Sequence, residues 1–174
     1  MRLRSKTSRL TLLTMLVAMA ILLHSVEPAV PIGIPGVKFG LANAISLICY
    51  YIFDAKRMFQ LNFMRVLISS IIRGIFPGIG FWLSFSGVFL SSLAMIFFRK
   101  ITKMSPIGIS VASALFHNVG QMLALMFINR TWGMIYWLPF MLFSAIPTGI
   151  ITGYISLLVL QRFKVGSKDL NVKK

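Results

Sequence analysis

The sequence predicts an all-α membrane protein with six transmembrane helices. Of its 174 residues, 57% are hydrophobic and only 12% are charged, and its mean hydropathy is +0.87. A soluble domain carries about a quarter charged residues, so this chain has too little polar surface for water. Apolar runs close to the length of about 20 residues that crosses a bilayer core recur along the chain. We therefore expect one compact membrane domain.

Six hydrophobic runs are the expected helices, and they lie at about 10–26, 39–53, 58–75, 81–98, 107–128 and within 135–160. The first follows a basic start that resembles a signal peptide, but its apolar stretch is long for one, which predicts a retained helix. The third contains Arg65 and Arg73, whereas the fourth carries no charge. In the sixth, Pro139 and Pro147 predict a kink or a late start.

The distribution of charge predicts the orientation of the chain. Eighteen Lys and Arg residues stand against three acids, a net charge of +15. The basic clusters precede the first span, separate the second from the third and the fourth from the fifth, and follow the sixth. With six spans these segments share one side, so the positive-inside rule places both termini in the cytoplasm. Nucleic-acid binding is excluded because the clusters are short and lie between spans; contact with anionic membrane lipid accounts for the charge.

We accordingly expect a multi-pass protein of a prokaryotic plasma membrane. Its parts are a basic cytoplasmic N-terminus at 1–9, a six-helix membrane domain at 10–160 and a basic cytoplasmic tail at 161–174.

The third span carries a polar stripe, because Asn62, Arg65, Ser69 and Arg73 follow one another at spacings of three and four residues. An ionisable side chain within the bilayer costs about 2.5–3.5 kcal/mol on insertion scales, so a retained arginine indicates a use. We expect Arg65 to face a cavity that binds an anion or a polar ligand, with Arg73 near its mouth. The alternative is that Arg65 reaches the membrane surface or a backbone carbonyl.

The fifth span holds a second polar group, formed by His117, Asn118 and Gln121. The spacings of three and four residues to Gln121 place these side chains on one face of a helix, at mid-membrane. These three side chains predict that this face of the helix contacts a ligand or a partner. The alternative is that they form hydrogen bonds to neighbouring helices. One histidine without a second His, Cys or acid nearby predicts no metal site.

The segment between the first two spans predicts a lid or mouth over a polar pocket. Pro35 and Gly36 interrupt helical structure there, and Lys38 and Asn43 follow just before and inside the second span. Glu27 ends the first span on the same side. Lys38 would neutralise negative charge, and Asn43 would donate or accept hydrogen bonds.

Catalytic groups are scarce in this sequence. Glu27, Asp54 and Asp169 are its only acids, and no two of them lie close enough in sequence to hold the magnesium that prenyl transfer uses. Cys49 is the single cysteine, which excludes an intrachain disulfide and a cysteine-only metal site. We expect no enzyme, or at most a non-catalytic subunit, and no intrinsic cofactor.

Four stretches together carry a resemblance to a known family: PGVKFGLANA, RVLISSIIRG, FWLSFSGVFLSSLAMIFFRK and SALFHNVGQ. Over about residues 10–160 the chain resembles the Gx transporter family, also labelled heptaprenyl diphosphate synthase component I. That family is grouped with the substrate-binding S components of energy-coupling-factor transporters. The resemblance implies an S-component-like bundle that binds a small molecule from outside and partners a transport scaffold with two ATPases. It also implies that the candidate residues are motif positions: Lys38, Asn43, Arg65, His117, Asn118 and Gln121.

Three functions follow from these observations. The leading one is binding and uptake of a small, anionic or amphipathic molecule. The first alternative is a non-catalytic membrane partner of isoprenoid or menaquinone synthesis, with a soluble prenyl synthase at the basic loops. The second alternative, also drawn from the resemblance, is a membrane partner in extracellular electron transfer that binds a quinone or flavin and works with a flavoprotein.

Overall fold

The computed structural model describes residues 6–27 and 40–163, and its regular elements there are helices. They are α1 Lys6–Val26, α2 Leu41–Ile52, α3 Ala55–Ile72, α4 Ile79–Ile101, α5 Pro106–Asn129, a short 3₁₀ helix Trp132–Trp137, and α6 Leu138–Arg162. The six predicted helices are confirmed. Four of them, α1, α4, α5 and α6 with the preceding 3₁₀ turn, are long and apolar enough to cross a membrane. The protein is therefore a helical membrane bundle.

Helix starts follow from the capping residues in the sequence. Asp54 precedes α3, and its side chain accepts a hydrogen bond of 2.7 Å from the backbone N–H of Arg57. At the start of α5, the side chain of Ser105 accepts a hydrogen bond from the backbone N–H of Gly108, and Pro106 occupies the first position of the helix. Both arrangements satisfy N–H groups that have no partner within a helix.

The predicted late start of the sixth helix is confirmed. Residues 132–137 form a 3₁₀ helix, so α6 begins only at Leu138, with Pro139 in its first turn. A proline is tolerated there because the first N–H groups of a helix lack partners in any case. Pro147 lies inside α6, which continues past it to Arg162.

The six helices close into a ring in the order α1, α2, α6, α5, α4 and α3, with α3 packed back on α1. The short helix α2 also contacts α3 and α5, so it lies toward the inside of this ring. Nine of its twelve residues are buried. Its length of about 18 Å is well below a bilayer core of about 30 Å, and protein rather than lipid surrounds it.

One end of the bundle carries most of the described cations, and we call it the basic side; they are Lys6, Arg9, Lys56, Arg57, Arg99, Lys100, Lys103 and Arg162. An apolar core around α2 fills this half of the bundle, with Leu47, Met58 and Leu160 fully buried. The positive-inside rule predicts that this side is the cytoplasmic one.

Arg99 fastens α4 to the C-terminal end of α2. Its Nη1 donates a hydrogen bond of 2.7 Å to the backbone carbonyl of Tyr50. Its guanidinium carbon lies 4.4 Å from the ring centroid of Tyr50 and 3.9 Å from that of Tyr51. A cation is favourable here because the last carbonyls of α2 carry the negative end of the helix dipole and the rings present their electron-rich faces.

Glycines bring the backbones of α4, α5 and α6 into contact. A Cβ atom on Gly120 of α5 would lie 2.6 Å from the carbonyl oxygen of Ser86 in α4. A Cβ atom on Gly153 of α6 would lie 2.7 Å from the Cα of Ile107 in α5. Such close approach is a main source of helix association in lipid, where the hydrophobic effect does not drive helices together.

We expect Gly120→Ala to destabilise the bundle by about 1–3 kcal/mol, because the new methyl group must push two backbones apart. Thermal unfolding of the detergent-solubilised chain measures the effect. Gly133→Ala is the matched control, since its Cβ would meet only the Thr131 methyl group at 3.8 Å. Equal unfolding temperatures for the two variants would contradict the close packing of α4 on α5.

Replacing Arg99 by Met should cost about 1–3 kcal/mol, because a charge-assisted hydrogen bond and two cation–π contacts are lost together. The same unfolding measurement applies. Lys100→Met removes a neighbouring exposed cation from α4 and should change stability by less than about 0.5 kcal/mol. A wild-type unfolding temperature for the Arg99 variant would show that this contact does not hold α4 and α2 together.

Candidate functional site

A polar cavity lies away from the apolar core, where the end of α1 meets the start of α2 and the middle parts of α3, α5 and α6. Its volume is about 40 Å³. The ionisable and amide side chains that line it are His24, Glu27, Asn43, Arg65, His117 and Asn118. Both histidines of the chain and one of its three acids are therefore gathered here.

Arg65 is the central cation of this cavity. It is 1% exposed and lies about 15 Å along α3 from its first residue, which is close to mid-membrane. Its Nη2 donates a hydrogen bond of 2.6 Å to Oδ1 of Asn43. Its Nε and Nη1 are buried and have no hydrogen-bond partner among residues 6–27 and 40–163. Unmet buried donors cost about 1–3 kcal/mol each, and more on a charged group, so an anion would relieve this cost.

The N-terminus of α2 supplies further positive potential. Because α2 is about 18 Å long and ends at the basic side, its N-terminus lies near the middle of the membrane. Gly40, with φ of 75°, precedes α2 and provides no side-chain cap. Instead, Oε1 of Glu27 accepts a hydrogen bond of 3.1 Å from the backbone N–H of Leu41. Half-length helices that point their N-termini at a binding site are a recurrent way to hold anions inside a bilayer.

Helices α5 and α6 form the opposite wall and are held together by polar contacts. The hydroxyls of Ser110 and Thr152 lie 2.9 Å apart. Nδ2 of Asn118 donates a hydrogen bond of 2.6 Å to the backbone carbonyl of Met141. These contacts orient hydroxyl and amide groups around the cavity, where they can hydrogen-bond to a polar ligand.

The structure brings together most of the described residues that the sequence predicted. Asn43, Arg65, His117 and Asn118 line the cavity, and Glu27 lies at the same place. The predicted residues Pro35, Gly36 and Lys38 fall outside the described residues.

Two predicted residues do not line the cavity. Gln121 is buried against α4, where a Cβ on Gly87 would lie 2.8 Å from its Cγ, because its position on α5 is rotated toward that helix. Arg73 is exposed at the C-terminal cap of α3, two turns beyond Arg65, since the helix has already left the cavity there.

The remaining members of the predicted stripe on α3 contact protein groups. Oδ1 of Asn62 accepts a hydrogen bond of 2.5 Å from Ser46, and its Nδ2 donates one of 2.7 Å to Ser92. The hydroxyl of Ser69 donates to the backbone carbonyl of Arg65. Of this stripe, Arg65 alone lines the cavity.

Several residues that line the cavity were not predicted from the sequence. His24 lies three residues before Glu27, so helical spacing alone would have placed it on the same face. Ser144, Thr148 and Thr152 also line the cavity, and they follow one another at intervals of four along α6. Hydroxyls are common in membrane helices, which makes this signal weaker than that of the histidine.

The site's chemistry suits binding. Within the described residues, no group of three or more His, Cys, Asp or Glu side chains could hold a metal ion. A buried guanidinium with two unpaired donor nitrogens and several amide and hydroxyl groups are suited to holding an anionic or strongly polar group. The Glu27 carboxylate in the same cavity bonds the N-terminus of α2 and offsets part of the positive charge.

Comparison with known proteins identifies a family. No curated protein and no solved structure gives a significant match. The family model described as heptaprenyl diphosphate synthase component I matches residues 16–159, which is most of the chain and includes every described residue of the cavity. The chain therefore belongs to the heptaprenyl diphosphate synthase component I family.

Proposed function

We propose that this chain is a non-catalytic membrane component of prenyl diphosphate synthesis, and that its Arg65 cavity binds the anionic head of an isoprenoid ligand. The observation that carries the proposal is the buried guanidinium of Arg65, whose Nε and Nη1 have no partner in the part of the chain that the structure describes. The family's description, which names a component of a heptaprenyl diphosphate synthase, supports the choice of ligand.

The chemistry of a diphosphate matches the site. Nε and Nη1 carry N–H donors on two different edges of the guanidinium group, and a diphosphate has enough oxygens to accept from both. The N-terminus of α2 lies beside the cavity, and the carboxylate of Glu27 already accepts the N–H of Leu41 there. The cavity of about 40 Å³ is much smaller than the several hundred Å³ of sites that enclose a whole ligand. A cavity of this size has room for a few water molecules, so binding of a diphosphate head requires the surrounding side chains to move apart, with the hydrocarbon chain between helices or in lipid.

The carboxylates of the chain support a non-catalytic role. Prenyl transfer of the usual kind uses carboxylate-bound magnesium to hold the diphosphate. The sequence has three acids, and the two described ones are apart: Glu27 lines the cavity and Asp54 caps α3 at the basic side. We assign formation of the carbon–carbon bond to a soluble prenyl synthase that docks on the basic side, and retention of the lipid ligand in the membrane to this chain.

Uptake of a small anionic or amphipathic molecule is the second candidate. The observation that favours it is the position of the cavity, which the apolar core separates from the basic side. If the basic side is cytoplasmic, the cavity opens toward the outside, where a binding subunit of a transporter would collect its substrate. This role would require a scaffold and ATPases as partners.

Arg65→Gln should weaken binding of farnesyl diphosphate to the detergent-purified chain by about 10–100-fold, because charge-assisted hydrogen bonds are worth about 1.5–3 kcal/mol each. Isothermal titration calorimetry measures the affinity. Arg73→Gln is the matched control on the same helix and should bind like the wild type. Farnesol, which lacks the diphosphate, should bind neither protein tightly. Equal affinities of the two variants for farnesyl diphosphate would overturn the assignment of Arg65.

Affinity purification from native membranes, followed by protein mass spectrometry, separates the two candidate functions. We expect a prenyl synthase to co-purify and to be lost when Lys100 and Lys103 on the basic side are both changed to Gln. A transport scaffold with two ATPases would instead establish uptake and reject the synthase role. Organic extraction of the same sample tests for a bound quinone or flavin, the third function that the sequence predicts.

A further inference from the structure

A second cavity lies at the basic side, between the start of α1 and the corner that joins α2 to α3. Its volume is about 350 Å³. The cations Lys6, Arg9 and Arg57 line it, together with Asp54. We call this cavity the basic cleft. The apolar core separates it from the Arg65 cavity, and the two share no lining residue.

The charges of the basic cleft are not balanced within it. Three cations stand against one carboxylate, and Oδ1 of that carboxylate, on Asp54, already accepts the backbone N–H of Arg57. All three cations lie in the first turns of α1 and α3, neither of which has an acidic residue in its first turn. A helix N-terminus carries partial positive charge, so these cations add to the helix dipoles and do not offset them. The cleft thus has a positive potential that an anion would neutralise.

An apolar floor accompanies the cations. Leu10, Leu13 and Phe53 line the same cleft, and we call these three side chains the apolar floor. Leu10 is 60% exposed. Leu10 and Leu13 follow Arg9 along α1 into the apolar part of that helix, toward the membrane interior. A cationic rim above an apolar floor, at the level where lipid head groups meet acyl chains, matches an amphipathic anion better than a free ion. Basic pockets between transmembrane helices on this side are typical sites for anionic lipid head groups.

We propose that the basic cleft is a binding site for one anionic phospholipid. The phosphate lies among the three cations, and the first carbons of the acyl chains contact the apolar floor. By bridging cations from two separate segments of the chain, the lipid ties the start of α1 to the corner between α2 and α3. This site is independent of the ligand of the Arg65 cavity.

Native mass spectrometry of the full chain, purified in detergent and titrated with palmitoyl-oleoyl phosphatidylglycerol, tests the proposal. The cleft variant carries Lys6→Gln, Arg9→Gln and Arg57→Gln. The control variant carries Lys100→Gln, Lys103→Gln and Arg162→Gln, three exposed cations of the same side that do not line the cleft. Both variants lose the same net charge.

A cation near the membrane surface changes the affinity for anionic lipid by about fivefold. We therefore expect the cleft variant to weaken binding of phosphatidylglycerol by at least about tenfold and the control variant by less than about threefold. If the cleft variant does not fold, Arg9→Gln alone should still weaken binding by about fivefold. Phosphatidylcholine with the same acyl chains should bind the wild type weakly.

Three results would overturn the proposal. Equal losses in the cleft and control variants would mean that net charge, and not a site, attracts the lipid. Saturable binding of inorganic phosphate at the affinity of the lipid would identify a free anion as the occupant. Equally tight binding of a soluble poly-glutamate peptide would identify the cleft as a docking surface for acidic protein.

Discussion

The burial of one positive charge at mid-membrane is the constraint on which this structure depends. Lipid offers Arg65 no hydrogen-bond acceptor, so the protein must supply one, and it does so through Asn43 in the first turn of α2. That hydrogen bond requires α2 to begin at the depth of Arg65. The short length of α2, its place inside the ring and the polar cavity at its N-terminus are all consistent with this requirement.

Polar groups inside the bundle fall into two kinds, and the difference separates structural residues from candidate binding residues. Asn62 is bonded at both ends of its amide, to Ser46 and Ser92, so it joins α2, α3 and α4, and it does not line the cavity. Arg65, one turn further along α3, uses one of its three guanidinium nitrogens on Asn43, and the other two are unpaired within the described residues. Helical spacing places Asn62 and Arg65 on the same face of α3, whereas the hydrogen bonds that each one makes distinguish them.

The sequence was sufficient for the class of protein, for the number of helices and for singling out Arg65 on α3. The first two follow from hydrophobic runs and from the low proportion of charge in the whole chain, and the third follows from the cost of an arginine within a membrane span. It was not sufficient for Gln121 or Arg73, because the direction of a side chain depends on which neighbour a helix packs against. Nor did it show that α2 starts at mid-membrane, since a short apolar run does not reveal its depth. His24 was within reach of sequence reasoning through its spacing from Glu27.

Two parts of the bundle are held together by different kinds of contact. Where backbones touch, as at Gly120 and Gly153, we expect α4, α5 and α6 to have little freedom to slide past one another. The polar contacts that position α2 and α3 around the cavity run through side chains, among them Glu27 to Leu41 and Arg65 to Asn43, which can rotate and re-form. The cavity lies between α5 and α6 on one side and α2 and α3 on the other. We therefore expect a ligand to enter or leave by displacing α2 and α3, while α4, α5 and α6 keep their arrangement.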